Sequence, residues 1–125
     1  MKKSTFHHTS AVQVTEKKPG WKMADFPTLS DGCCVLQKGG RAELGQDGEL
    51  KFEGELVGFN SDNEWSLRLE FLDADGQTIG CTPPFHCECG KVGYSSRCHR
   101  SDLAGPEYSA LFDQVTQMRL HFGAK

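Results

Sequence analysis

Residues 64–72, "EWSLRLEFL", decide the fold class. Trp65, Leu67, Leu69 and Phe71 alternate with Glu64, Ser66, Arg68 and Glu70. Successive side chains of a strand point to opposite faces, so this period of two sends the first four to a core and the others to water. One buried and one wetted face is the mark of an antiparallel sheet. The next segment, "DADGQ" (73–77), reads as a hairpin turn, and "TIGCT" (78–82) as the returning strand. Upstream, "LKFEGELVGF" (50–59) alternates in the same way, with Leu50, Phe52 and Leu56 against Lys51, Glu53 and Glu55. Gly54 and Gly58 fall on its apolar side, which suggests bulges or close packing by a neighbour's ring. "NSDN" (60–63) reads as the turn between these two strands, and "GQDGE" (45–49) as the hairpin turn before them.

Working outward, "CCVLQ" (33–37) and "RAEL" (41–44) are short strand candidates separated by Lys38-Gly39-Gly40. Residues 33–82 therefore read as an antiparallel meander, ended by Pro83-Pro84 because proline cannot donate to a ladder. "PEYSALFDQV" (106–115) has helical spacing at Tyr108, Leu111, Phe112 and Val115, with Pro106 suited to a first turn. "TQMRLHF" (116–122) alternates again as a last strand. "WKMADFPTLSDG" (21–32) reads as an irregular extended lead-in. Residues 1–20 are polar and end in Lys17-Lys18-Pro19-Gly20, the composition of a flexible arm. The expected architecture is a mainly β domain over 21–125, an antiparallel meander forming a sandwich or open barrel, with one short C-terminal helix.

A chain of 125 residues fits one domain and buries a core without needing covalent staples. It carries no run of 18 apolar residues, and its start has no apolar segment of the secretory type. The expectation is a cytoplasmic protein with reduced thiols. Net charge is −3 but unevenly spread. Residues 43–75 hold ten acids against Lys51 and Arg68, while residues 1–22 hold five lysines against Glu16. No basic footprint for nucleic acid exists, and no membrane partner is expected. The acidic middle suits a basic protein partner instead.

Chemistry concentrates in "PFHCECGKVGYSSRCHR" (84–100), which holds three of the six cysteines and two of the five histidines. His86 and Cys89 stand three apart before Gly90-Lys91, as in half of a zinc knuckle. With Cys87 and Cys98 they supply the four nitrogen or sulfur ligands that tetrahedral zinc requires. A second closely spaced pair is missing. A disulfide from Cys87 or Cys89 to Cys98, or plain free thiols, are the other readings. No known signature of a cysteine enzyme surrounds these residues, and the outward carboxylates are those of a half-exposed sheet. The chain is accordingly read as no enzyme, with no cofactor other than one structural zinc if the knuckle reading holds.

The run from Gly32 to Gly80, with its "DG" pairs, alternating strands, acidic turn, Trp65 and "DADG", resembles small uncharacterised bacterial all-β proteins. The resemblance implies a bacterial origin and a β domain, and carries no activity to any residue. From the residues themselves the expected function is a non-enzymatic protein-binding domain, most concretely an immunity or antitoxin-like protein. It would neutralise a basic partner through an acidic sheet face made by Glu53, Glu55, Asp62, Glu64, Glu70 and Asp73. The alternative is a zinc-stabilised binding module built on the loop 81–99.

Overall fold

The structure, a computed structural model, describes residues 8–30, 34–58, 64–88 and 95–124. Eleven strands are present among them: β1 (His8–Gln13), β2 (Thr15–Lys18), β3 (Trp21–Asp25), β4 (Leu29–Ser30), β5 (Cys34–Gly45), β6 (Leu50–Gly58), β7 (Glu64–Leu72), β8 (Thr78–Cys81), β9 (Phe85–Glu88), β10 (Ser95–Arg100) and β11 (Gln117–Ala124). One helix, α1 (Pro106–Leu111), runs into a 3-10 turn at Phe112–Gln114. The strands form two antiparallel sheets. The five-stranded sheet runs β1-β11-β7-β8, with β9 also on β7; the six-stranded sheet runs β10-β6-β5-β3-β2, with β4 also on β5. No helix among the described residues is long and apolar enough to cross a membrane.

Alternation does what the sequence implies. Trp65, Leu67, Leu69 and Phe71 of β7 are all buried, as are Leu50, Phe52 and Leu56 of β6. They join one core cluster that draws on both sheets. Phe52 of one sheet meets Phe85 of the other at 5.5 Å between ring centroids, and Trp65 stacks on Phe122 at 5.0 Å. Contacts of this kind contribute about 0.5–1.5 kcal/mol each beyond the area they bury. The arrangement is a sandwich, as expected.

Turn chemistry also matches. At 73–77 the Asp73 carboxylate accepts from the amides of Asp75 and Gln77, both at 2.9 Å, and Gly76 takes the positive φ of 79° that a side chain disfavours. Tyr108 of α1 packs edge-on against Phe71 at 5.2 Å, which fixes the helix to the sandwich. Lys22 points inward from β3 and its Nζ donates to the carbonyls of Phe112 and Val115. A cation there complements the carbonyl-rich end of a helix.

The structure differs from the sequence reading in four places. Residues 8–13 and 15–18, expected within a flexible arm, form β1 and β2; β1 pairs with β11 along its whole length. Trp21–Asp25, expected as irregular, is a regular strand on β5. Lys38-Gly39-Gly40 does not separate two strands but lies within β5, as a bulge. Most consequentially, the meander is broken: β6 pairs with β5 and β10, whereas β7 pairs with β8, β9 and β11. The chain changes sheets between β6 and β7, and the expected turn at 60–63 lies outside the described residues. The outward faces of β6 and β7 therefore belong to different sheets.

Candidate functional site

The outer face of the six-stranded sheet carries charged side chains in rows across the strands. Asp25, Arg41, Glu53 and His99 form one row on β3, β5, β6 and β10. Gln37, Glu55 and Arg97 form the next. Directly opposed cross-strand side chains are close enough to interact, so opposite charges in such rows favour the pairing.

The bulge spreads the two rows apart on β5. On β6, Glu53 and Glu55 are two residues apart; on β5, their partners Arg41 and Gln37 are four apart, so β5 holds two extra residues. A hollow of about 420 Å³ opens there, lined by Asp25, Gln37, Arg41, Glu53, Glu55 and Arg97 around the backbone of Gly40 and Gly54. Gly40 is required at this point. A Cβ on it would stand 2.3 Å from the Phe52 ring on the core side.

Charges within the hollow are unequally satisfied. Arg41 Nε donates to Asp25 Oδ1 at 2.7 Å. Arg97 sits in register with Glu55, yet its guanidinium pairs with Glu53 Oε1. The same oxygen meets His99 Nδ1 at 3.0 Å. The bonds from Arg97 and then from His99 hold the Glu53 carboxyl below the usual carboxylate range. The bond to Asp25 likewise raises the Arg41 pKa. Glu55 is exposed and has no ion-pair or hydrogen-bond partner among the described residues. Among the described side chains of the hollow, three carboxylates thus face two guanidiniums, and the surplus charge is on Glu55.

The six acids expected to share one face do not do so. Glu53 and Glu55 lie in the hollow. Glu70 lies on the other sheet, where it accepts from Thr78 Oγ1 and Arg119 Nη1 (3.0 Å) and stands 2.8 Å from His121 Nε2. Its side chain is only 13% exposed. Burial alone would raise its pKa, but the bonds from Thr78 and His121 and the charge of Arg119 bring it below the usual range. Asp73 serves its own hairpin. Glu64 begins β7, and neither its side chain nor Asp62 is among the described residues. The reason is the change of sheet between β6 and β7, which alternation alone does not reveal.

Among the described residues, the expected metal ligands form no metal-binding group. Cys87 and Cys98 are bonded to each other as a disulfide, with their Cα atoms 5.6 Å apart. Bonded sulfurs are not thiolates, and thiolate is the form that binds zinc. His86 Nδ1 is 3.1 Å from Ser66 Oγ, and Cys89 lies outside the described residues. No group of three or more His, Cys, Asp or Glu is arranged for a metal among the described residues. Of the three readings of this stretch, the disulfide is the one the structure contains. It links β9 of one sheet to β10 of the other.

Sequence reasoning missed Asp25, Gln37, Arg41 and Arg97. Their strands read as an irregular lead-in, two fragments and a loop, so nothing set their side chains beside Glu53. The one available signal was the Gly-Gly pair opposite Gly54, which marks a bulge as well as a turn.

No family model matches the chain, and no curated protein matches it. Among solved structures, the enzymatically active domain of tailspike protein 4 from bacteriophage CBA120 is similar over 94% of this chain at 10% identity, with a TM-score of 0.31. The chain spans 17% of that structure's length. At this level the likeness bears on neither fold nor activity.

Proposed function

We propose that the chain is a non-enzymatic protein-binding domain that docks a basic partner on the outer face of the six-stranded sheet. Its most concrete form is an immunity or antitoxin-like protein that caps a basic toxin. The observation that carries this reading is Glu55, a carboxylate without a counter-ion among the described residues, inside a hollow whose other described charges are paired. Complementary charge steers association and fixes register more than it adds affinity. The surface is therefore narrower than an acidic face: Glu55 with Glu53 and Asp25, framed by Arg41 and Arg97. Framing by like charges of the partner also gives selectivity, because a misaligned cation meets a guanidinium.

The Cys87–Cys98 bond favours an oxidising compartment over the cytoplasmic setting expected from the sequence, since such bonds are rare where glutathione keeps thiols reduced. The docking test is a map of where a cationic probe lands. Backbone amide shifts are followed while an oligolysine peptide is added at low and at physiological salt. Shifts confined to β5, β6 and β10, weakening with salt, support the reading. Shifts centred on the five-stranded sheet, or none, overturn it.

A further inference from the structure

We propose that the hollow between Gln37, Glu55 and Arg97 seats the guanidinium of an arginine side chain presented by the protein partner. This rests on the docking reading above and names the group that enters the site. Charge alone calls for a cation; the shape and the free acceptors select among cations.

Three acceptor groups line the same hollow without a complete set of donors among the described residues. Glu55 has no partner among the described residues. Both contacts to Glu53 fall on Oε1 and leave Oε2 without a hydrogen bond among the described residues. The Gln37 amide stands opposite Glu55 in the register. Glu53 and Glu55 share one face of β6, with Cα atoms about 7 Å apart for two residues of strand. A guanidinium offers five N–H donors in a rigid planar fork and is more weakly hydrated than an ammonium. It can take Glu55 with two parallel bonds and still reach a second acceptor. An ammonium is a compact, strongly hydrated charge whose three donors form no planar fork to match a carboxylate with two parallel bonds.

The two arginines already in the hollow do not exclude a third cation. Arg41 is held by Asp25 and Arg97 by Glu53, so their charges are largely spent. The bulge supplies the room. Its two extra residues set Gln37 and Arg41 four positions apart on β5, where Glu55 and Glu53 opposite them are two apart.

The test is an amide-shift titration of the full chain with oligoarginine and oligolysine peptides of equal length, on the wild type and on Glu55→Gln. The expected result is arginine binding tighter by roughly fivefold, the share of one well-formed exposed ion pair, with shifts centred on Gly40, Gly54 and Glu55. Glu55→Gln should remove that advantage while leaving amide dispersion unchanged, as befits an exposed side chain. Gln37→Ala, which keeps every charge, should reduce the advantage without removing it. Equal affinity of the two peptides for this face overturns the guanidinium seat and leaves the docking reading standing. An arginine preference that survives Glu55→Gln overturns the seat too, because the preference then arises elsewhere. Binding centred away from this face overturns both.

Discussion

Cys87 and Cys98 are joined across the two sheets, β9 of the five-stranded sheet to β10 of the six-stranded one. The bond therefore closes one side of the sandwich. Nearby, Arg100 of β10 donates to the His86 carbonyl at 2.9 Å and lies over the Phe85 ring, so the same junction is also fastened without the sulfurs. Closing a loop of 11 residues is expected to contribute about 3 kcal/mol, chiefly by restricting the unfolded chain. Urea denaturation of the wild type and of a Cys87→Ala, Cys98→Ala double variant measures this. A lower midpoint with native-like far-ultraviolet dichroism is expected; equal midpoints would show that the bond contributes nothing.

Glu70 makes stability depend on pH. Its folded pKa lies below the unfolded one, so its contribution is fully present above the ordinary carboxylate range and is lost as pH falls through the folded value. Replacing it by Gln should cost ~1–2 kcal/mol at neutral pH, the scale of hydrogen bonds to a charged group. The gap between the wild type and Glu70→Gln should close in acid. Thermal denaturation at several pH values reads this directly, and a gap that persists or widens in acid contradicts it.

Gly40→Ala should be destabilising by about 1–3 kcal/mol, because the new methyl meets a buried ring in a filled core. The obstruction is Phe52, fully buried, and the backbone carbonyl of Glu53 lies within 3.2 Å of the same point. The paired variant Gly40→Ala, Phe52→Leu should recover part of the loss. Chemical denaturation of both variants checks the pair. A stable Gly40→Ala would mean that the bulge is not shaped by that ring.

Lys22 ties β3 to the end of the 3-10 turn. Lys22→Met keeps the aliphatic stem over Phe112 but leaves the Phe112 and Val115 carbonyls without this donor. A loss of ~1–2 kcal/mol is expected from the unmet acceptors. Amide hydrogen exchange should quicken in 106–115 before the sheets respond; unchanged protection there would contradict the tie.

Much of this was readable from the chain. Trp65, Leu67, Leu69 and Phe71 announced a core-facing strand because their period is local and unbroken. Asp73 and Gly76 announced a hairpin because a turn is set by its own few residues. What failed was what depends on distant partners. β2 is wholly exposed at a sheet edge, so no apolar pattern marks Thr15–Lys18 as a strand. The bulge at Gly40 uses the same residues as a turn. Alternation in β6 and β7 is identical whether the two strands share a sheet or face each other across the core. That ambiguity moved Glu70 away from Glu53, and it hid the rows that place Arg41 and Arg97 beside Glu55.

The docking claim turns on Glu55 more than on any other residue. The direct measurement is the dissociation constant of an oligolysine peptide for the wild type and for Glu55→Lys, across a range of salt, with Asp75→Lys alongside as a charge-matched control at the exposed β7–β8 hairpin of the other sheet. The expected result is that Glu55→Lys weakens binding by roughly tenfold at low salt, a difference that shrinks as salt rises, while Asp75→Lys has a markedly smaller effect. Equal losses from the two reversals would mean that net charge alone draws the peptide, and would contradict a docking site on the outer face of the six-stranded sheet.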